Sequence, residues 1–230
     1  SLALSQSGVL SNNTAIGYSS LLNTSGGLNT AVGVNSGSNN ITGAQNTMIG
    51  ANSGPVSDTL LNSTALGSNA TTDSDHQVRI GNASVSSIGG YAAWSNLSDA
   101  TFKRNVTEDV GGLEFIMKLR PVTYNLDVNS LAEAIGENKK VVPDDLTIAG
   151  RNEKSRIKYT GFIAQEVEQA ATEAGYDFSG VDKPQNANSF YALRYATFVV
   201  PLVKSVQELK KENEELKAEL EDLKSKVDIL

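Results

Sequence analysis

Ser98, Asp99 and Lys103 lie close together in the chain, and their types could support a covalent reaction. A serine hydroxyl becomes a good nucleophile only when a base removes its proton, and a lysine can act as that base when its amine is neutral. The same order of residues is also typical of a turn or helix start, because serine and aspartate side chains accept hydrogen bonds from backbone N–H groups. From these residues alone both interpretations stay open.

The composition excludes several other kinds of chemistry. The chain has 230 residues, no cysteine and a single histidine, His76, which argues against disulfides, thiol chemistry, most zinc sites and a Ser-His-Asp triad. The net charge of -7 and the scattered basic residues argue against a nucleic-acid partner. We find neither a signal peptide nor an apolar run long enough to cross a membrane, and we expect no membrane insertion, no metal and no cofactor. Because the chain begins with Ser-Leu-Ala-Leu, we expect it to be a piece of a longer protein.

The first third of the chain is a repeat. The pattern Asn13-Thr14-Ala15-Ile16-Gly17 returns four times, the last time loosely, and its glycines are 16, 17, 17 and 14 residues apart. Each copy has an apolar pair between Asn, Ser, Thr and Gly, which predicts one short strand per turn of a β-solenoid. Disorder is the alternative for such a polar tract, but disordered tracts do not keep an apolar pair at a fixed phase. The units resemble the β-roll head repeats of trimeric adhesins.

The last thirty residues predict a coiled coil. Seam residues recur at alternating steps of four and three, with Glu and Lys between them and no Gly or Pro after Pro201. The alternative is a helix that packs on its own domain, but so narrow an apolar stripe needs partner helices. The seam consists of Leu202, Val206, Leu209, Asn213, Leu216, Leu220, Leu223, Val227 and Leu230. Asn213 is interpreted as a residue that sets the register of the helices.

The central segment mixes helix and strand. A helix is predicted from Val110 to Leu119, followed by a strand that leads to Leu126. A polar region follows, residues 127–155, in which Pro143-Asp144-Asp145 and Gly150 are interpreted as turns. A second strand begins at Tyr159 and passes into a helix that continues to Ala174.

Four sequence blocks of this segment, in this order, resemble the intramolecular chaperone auto-processing domain (peptidase family S74) of phage tail spikes and tail fibres. The blocks are Ser98-Asp99 with Lys103 and Asn105, then Leu119-Arg120-Pro121-Val122, then Gly161-Phe162-Ile163-Ala164-Gln165-Glu166-Val167, and finally Tyr195 before the last helix. One departure is Thr101-Phe102, where the family usually has Arg-Leu. Gln165 and Glu166 could suggest a catalytic pair, but the apolar residues around them favour a structural role for that block.

The resemblance implies that the domain trimerises, templates the folding of the fibre upstream and then cuts itself off. The scissile bond would join Leu97 to Ser98, with Ser98 as nucleophile, Lys103 as base and Asp99 in support. Lysine ordinarily has a pKa of about 10.4, so the base must lose its proton in an apolar environment, which Phe102 and a neighbouring chain could provide. The chain would then be a single-turnover self-cleaving serine endopeptidase with a Ser-Lys dyad.

These observations predict a mixed β and α fold with three domains. We expect a β-solenoid (β-roll) fibre segment at residues 1–90, an α+β chaperone domain at 91–200 and a trimeric coiled-coil helix at 201–230. The expected partners are two further copies of the chain, the upstream fibre as folding client and a host-surface receptor for that fibre. The expected location is a virion tail fibre or appendage, or a bacterial cell surface. The alternative function, which the Thr101-Phe102 departure keeps open, is a structural or adhesive homotrimer that is never cut.

Overall fold

A computed structural model describes residue 3, residues 12–140 and residues 142–228. Contacts within the chain divide it into two compact units. Unit 1 contains the chain up to residue 92 together with residues 124–159 and 184–190, and unit 2 contains residues 93–123, 160–183 and those from 191 onward. The three predicted domains, 1–90, 91–200 and 201–230, stay a prediction.

Unit 1 contains the solenoid that the repeat predicts. Its five main strands pair in parallel, and each strand aligns with the equivalent residues of the next repeat. They are β1 Thr14–Ile16, β2 Thr30–Val32, β3 Thr47–Ile49, β5 Thr64–Leu66 and β7 Val78–Ile80. A second, two-stranded parallel sheet joins β4 Gly54–Pro55 to β6 Thr71–Thr72. The repeat pattern did not predict this second sheet.

Only one member of each apolar pair enters the solenoid core. The middle residues Ala31, Met48 and Ala65 are buried, because successive side chains of a strand point to opposite faces. The second members point outward: Ile16, Ile49, Leu66 and Ile80 are 39 to 60 % exposed, whereas Val32 is half-buried. The solenoid therefore carries an apolar row on its outer surface.

Buried asparagines hold the solenoid turns together. Asn46 Oδ1 accepts hydrogen bonds from the Ser63 backbone N–H and hydroxyl at 2.8 Å, and Asn46 Nδ2 donates to the Leu60 carbonyl at 2.6 Å. Asn29 makes the equivalent bonds to the Asn46 N–H and the Gly43 carbonyl. Each asparagine thus bonds backbone groups of the next turn, which explains why the repeat carries this residue.

Three glycines of the repeat, Gly17, Gly33 and Gly50, lie where adjacent turns approach too closely for a side chain. Gly50 has a φ of +130°, and a Cβ on it would lie 2.4 Å from the carbonyl of Gly67 in the next turn. A larger residue at this position would separate the two turns.

Much of residues 127–155 in unit 1 is helical. Pro143 and Asp144 lie between two helices, but the interpretation of Gly150 as a turn was wrong, because Gly150 lies within a helix. The helices are α2 Val128–Ala134, α3 Glu137–Lys140 and α4 Asp145–Ser155. Asp127 and Asp144 are their N-caps and accept hydrogen bonds from the backbone N–H groups of Ser130 and Thr147. These hydrogen bonds lower the pKa of both carboxyl groups.

The remaining elements include β8 Val122–Asn125 and β9 Lys158–Gly161, which form a two-stranded sheet. Unit 2 has α1 Leu113–Lys118, α5 Ala164–Glu173, the antiparallel pair β10 Val181–Asp182 and β11 Ala192–Leu193, and the long helix α6 Val199–Val227. Its core consists of Phe115, Val167, Ala170, Ala171, Phe178 and Phe198. The predicted helix, strand, strand and helix of the central segment correspond to α1, β8, β9 and α5.

Only the first turns of α6 pack on unit 2. Pro201 and Ser205 are buried, and Glu208 Oε2 accepts a hydrogen bond from the Leu113 N–H at 2.7 Å, at the start of α1. From residue 211 to 228 every residue is exposed in the single chain, including Leu216 at 63 %. Leu230, the last predicted seam residue, lies outside the described residues.

The mixed β and α fold with a solenoid and a long C-terminal helix is confirmed. The trimer itself stays a prediction.

Candidate functional site

A short turn positions the predicted catalytic residues. Residues Ala100–Phe102 form one turn of 3₁₀ helix, and the Lys103 N–H donates to the Ala100 carbonyl at 3.1 Å. The Asp99 carboxylate accepts a hydrogen bond from the Thr101 N–H at 2.8 Å, which lowers the pKa of Asp99. The turn folds the chain back, so that residue 103 returns to the side of residue 98.

This turn brings Lys103 and Ser98 into direct contact. Lys103 Nζ donates a hydrogen bond to Ser98 Oγ at 2.9 Å. A nucleophile and its base must lie within about 2.6–3.2 Å of each other for direct proton transfer. The geometry therefore permits the proton transfer that a Ser-Lys dyad requires, once the lysine is neutral.

Asp99 has a different position from the dyad partners. Its observed hydrogen bond goes to the Thr101 amide, which is the turn-capping role that the sequence left open. Asp99 thus stabilises the turn that carries Lys103, and its supporting role in catalysis stays a prediction.

Arg104 is a residue of this site that the sequence did not single out. Its guanidinium donates to the carbonyls of Thr101 and Lys103, at 2.8 and 3.0 Å. Asn105, which follows it, has a left-handed backbone with a φ of 53°. Arg104 therefore holds the C-terminal side of the turn, and no local sequence pattern marks it for that role.

The same turn limits where an oxyanion hole could form. The N–H groups of Thr101, Phe102 and Lys103 donate to acceptors inside the turn. They could not stabilise an oxyanion without breaking the turn that positions the lysine. Donors for an oxyanion must come from other groups.

The site is open to water in the single chain. Leu97 is 83 % exposed and Phe102 is 70 % exposed, and both Ser98 and Lys103 are exposed as well. Phe102 is adjacent to the lysine in sequence, but it does not bury it. An apolar cover for this lysine would need further groups.

The other blocks of the resemblance pack together in unit 2. Arg120 forms an ion pair with Glu166, which raises the pKa of Arg120, and the Phe162 N–H donates to the Tyr195 hydroxyl at 3.1 Å. Val167 is buried in the core. These contacts give the blocks a structural reason to occur together.

Other site types have little support. The described residues contain no group of three or more His, Cys, Asp or Glu side chains that could hold a metal ion. His76 lies in unit 1, where its Nδ1 is 3.0 Å from the Asn62 amide nitrogen. Among the described residues no helix is both long and apolar enough to span a membrane.

Comparison with known proteins gives one match. Residues 98–176 match the model of the family Peptidase_S74, described as chaperone of endosialidase. No curated protein and no solved structure matches the chain. The match begins at Ser98 and includes all the quoted blocks except Tyr195. The predicted resemblance of this segment to the chaperone family is confirmed.

Proposed function

We propose, from the match of residues 98–176 to a chaperone family, that this chain folds a β-rich tail fibre as a homotrimer and then cuts itself between Leu97 and Ser98. The solenoid of unit 1 is the client, or the last part of it. A folding aid would help such a fold, because its strands pair residues of successive turns and the similar repeats can pair in the wrong register. The proposed location is a phage tail fibre or appendage.

The proposed trimer is inferred from the exposed seam residues of α6. The seam residues from Leu209 to Val227 are exposed in the single chain, and a helix exposed on all sides is marginal in water. Burying each seam leucine in a coiled coil would contribute about 1.5–3 kcal/mol. Three parallel helices would also align the three chains before the solenoids pack.

The contact of 2.9 Å between Lys103 Nζ and Ser98 Oγ is the observation that carries the proposed reaction. Neutral Lys103 accepts the hydroxyl proton while Ser98 Oγ bonds to the Leu97 carbonyl carbon through a five-membered ring. The C–N bond then breaks, and its nitrogen takes the proton from Lys103. Water hydrolyses the resulting ester, which leaves a carboxylate on Leu97 and restores the Ser98 hydroxyl.

In this proposal trimerisation determines when the chain is cut. Phe102 and Leu97 are exposed in the single chain, so apolar groups of a neighbouring chain have room to cover the dyad. Loss of water around the lysine favours its neutral form. The base would then become active only after assembly.

The test is the intact mass of the freshly purified full chain. We expect fragments 1–97 and 98–230 from the wild type, and an uncut chain from Ser98→Ala and from Lys103→Met. Ser95→Ala is the matched control and should be cut as the wild type is, because Ser95 is an exposed serine of the same segment. Leu216→Asp should prevent both assembly and the cut.

An uncut wild-type trimer would refute the reaction and support the alternative, a structural or adhesive trimer. Cutting that persists in Ser98→Ala would assign the cleavage to another nucleophile or to a contaminating protease.

A further inference from the structure

Unit 1 is built from both sides of the proposed cut. Residues 124–159 and 184–190 follow Ser98 in the chain, yet they pack in the same compact unit as the solenoid. Cleavage of the Leu97–Ser98 bond would remove the covalent link between these parts and leave their contacts in place.

One residue at the end of the solenoid is held through both of its backbone polar groups. The Ala83 N–H donates to Glu137 Oε1 at 2.5 Å, and Lys154 Nζ donates to the Ala83 carbonyl at 2.9 Å. Arg151 Nη2 donates to Glu137 Oε2 at 2.9 Å, and Glu137 and Arg151 are each only 3 % exposed. We name Glu137, Arg151 and Lys154 the Ala83 clamp. The ion pair of Glu137 with Arg151 is buried, and half-buried Lys154 bonds to the Ala83 carbonyl, so these contacts fix the geometry of the clamp.

An apolar cluster and a further hydrogen bond accompany the clamp. Ala83, Val128 and Ala132 are buried together, and Leu126, Leu131 and Ile135 pack against them. Asn186 Nδ2 donates to the Asp73 carbonyl at 2.8 Å, also in the solenoid. The contacts combine buried apolar area with specific bonds to the backbone, as stable interfaces do.

We propose that the Ala83 clamp keeps the C-terminal product bound to the solenoid after the chain has been cut. The partner it fits is the last turn of a completed β-solenoid, because it bonds to backbone groups that only a formed turn presents in this arrangement. The proposal rests on the proposed cut for its biological setting, but the binding itself does not depend on Ser98.

In the experiment an added protease therefore cuts the chain in place of Ser98. A recognition sequence for a specific protease is inserted between Gly89 and Gly90 of the full chain carrying Ser98→Ala. Both glycines are exposed, and a Cβ on either would meet nothing within 4 Å. The folded protein is cut at this site, and the apparent dissociation constant of the two fragments is measured by size-exclusion chromatography over a dilution series.

We expect the fragments to co-elute without denaturant, and Glu137→Gln to raise the dissociation constant at least about tenfold, because Arg151 would lose its buried counter-charge. Glu133→Gln is the matched control, an exposed glutamate of neighbouring α2, and should change the constant less than about twofold. Should Glu137→Gln not fold, Lys154→Met provides the test, since it keeps the apolar stem and removes the bond to Ala83.

Two results would overturn the proposal. One is separation of the wild-type fragments at micromolar concentration while each keeps its circular dichroism. The other is co-elution that neither clamp variant weakens. Failure of Ser98-dependent cleavage in the earlier experiment would refute the proposed reaction and leave this result unaffected.

Discussion

Replacing Asn46 by alanine tests whether the buried asparagines hold the solenoid together. The side chain is fully buried and bonds the Ser63 N–H and hydroxyl, the Leu60 carbonyl and Asn40. Alanine would leave a backbone donor and a backbone acceptor of the next turn without these bonds. Each buried polar group left unsatisfied costs about 1–3 kcal/mol, so the expected loss in the free energy of unfolding is about 2–6 kcal/mol.

The assay is guanidinium unfolding followed by circular dichroism, at equal protomer concentration for all variants because the proposed assembly would contribute to stability. The midpoint should fall while the slope with denaturant stays unchanged. Asn39→Ala is the matched control, since Asn39 is an exposed asparagine of the same repeat, and should change the free energy by less than about 0.5 kcal/mol.

Asn46→Asp separates the two functions of the amide. It keeps an acceptor for Ser63 but places a carboxylate opposite the Leu60 carbonyl, so it should destabilise the protein at least as much as alanine at neutral pH. The reasoning would be refuted if Asn46→Ala unfolded with the wild-type midpoint and slope.

Three further predictions concern the helices. Gly112→Ala would place a Cβ 2.0 Å from Glu208 Oε2 and displace the carboxylate that accepts the hydrogen bond from the Leu113 N–H, which joins α1 to α6. The free energy of unfolding should fall by about 1–3 kcal/mol. An unchanged melting temperature in thermal unfolding would contradict this prediction. Asn213→Leu should raise the stability of the assembled chain and broaden its distribution of oligomeric states in sedimentation equilibrium, whereas a single unchanged state would deny Asn213 its register role. The N-caps Asp127 and Asp144 have folded pKa values below the ordinary 3.8, so their stabilising contribution is present above that value and is lost as the pH falls through the lowered values. Helical circular dichroism should therefore decrease on acidification below about pH 4, and less so in Asp127→Asn/Asp144→Asn.

The elements with strong local periodicity could be predicted from the sequence. The repeat gave the strands of the solenoid and their parallel order, because equivalent positions such as Thr30 and Thr47 align in register. The apolar pair did not show which of its two residues is buried. Successive side chains of a strand alternate, so Ile49 points outward while Met48 enters the core. The contact of Ser98 with Lys103 is local too, because a single turn creates it.

The helices between residues 128 and 155 were missed because Pro143 and Gly150 were taken as turn signals, although Leu131-Ala132-Glu133-Ala134 is a run of good helix formers. Gly150 lies within α4, although isolated glycines usually disfavour helices. The available signals were the N-cap residues Asp127 and Asp144. The contact of Glu137 with Ala83 could not be predicted, because no pattern within a window of the sequence relates residues 54 positions apart.

The Ala83 clamp can form only after residues far apart in the chain have both been synthesised. Lys154 follows Ala83 by 71 positions, so at about 5–20 residues per second the ribosome needs roughly 4 to 14 s to add it. During that interval the backbone N–H and carbonyl of Ala83 lack their partners Glu137 and Lys154, and unpaired backbone groups invite pairing with another nascent chain. The speed of translation through residues 84–154 therefore sets how long neighbouring chains on one messenger RNA are exposed to mispairing.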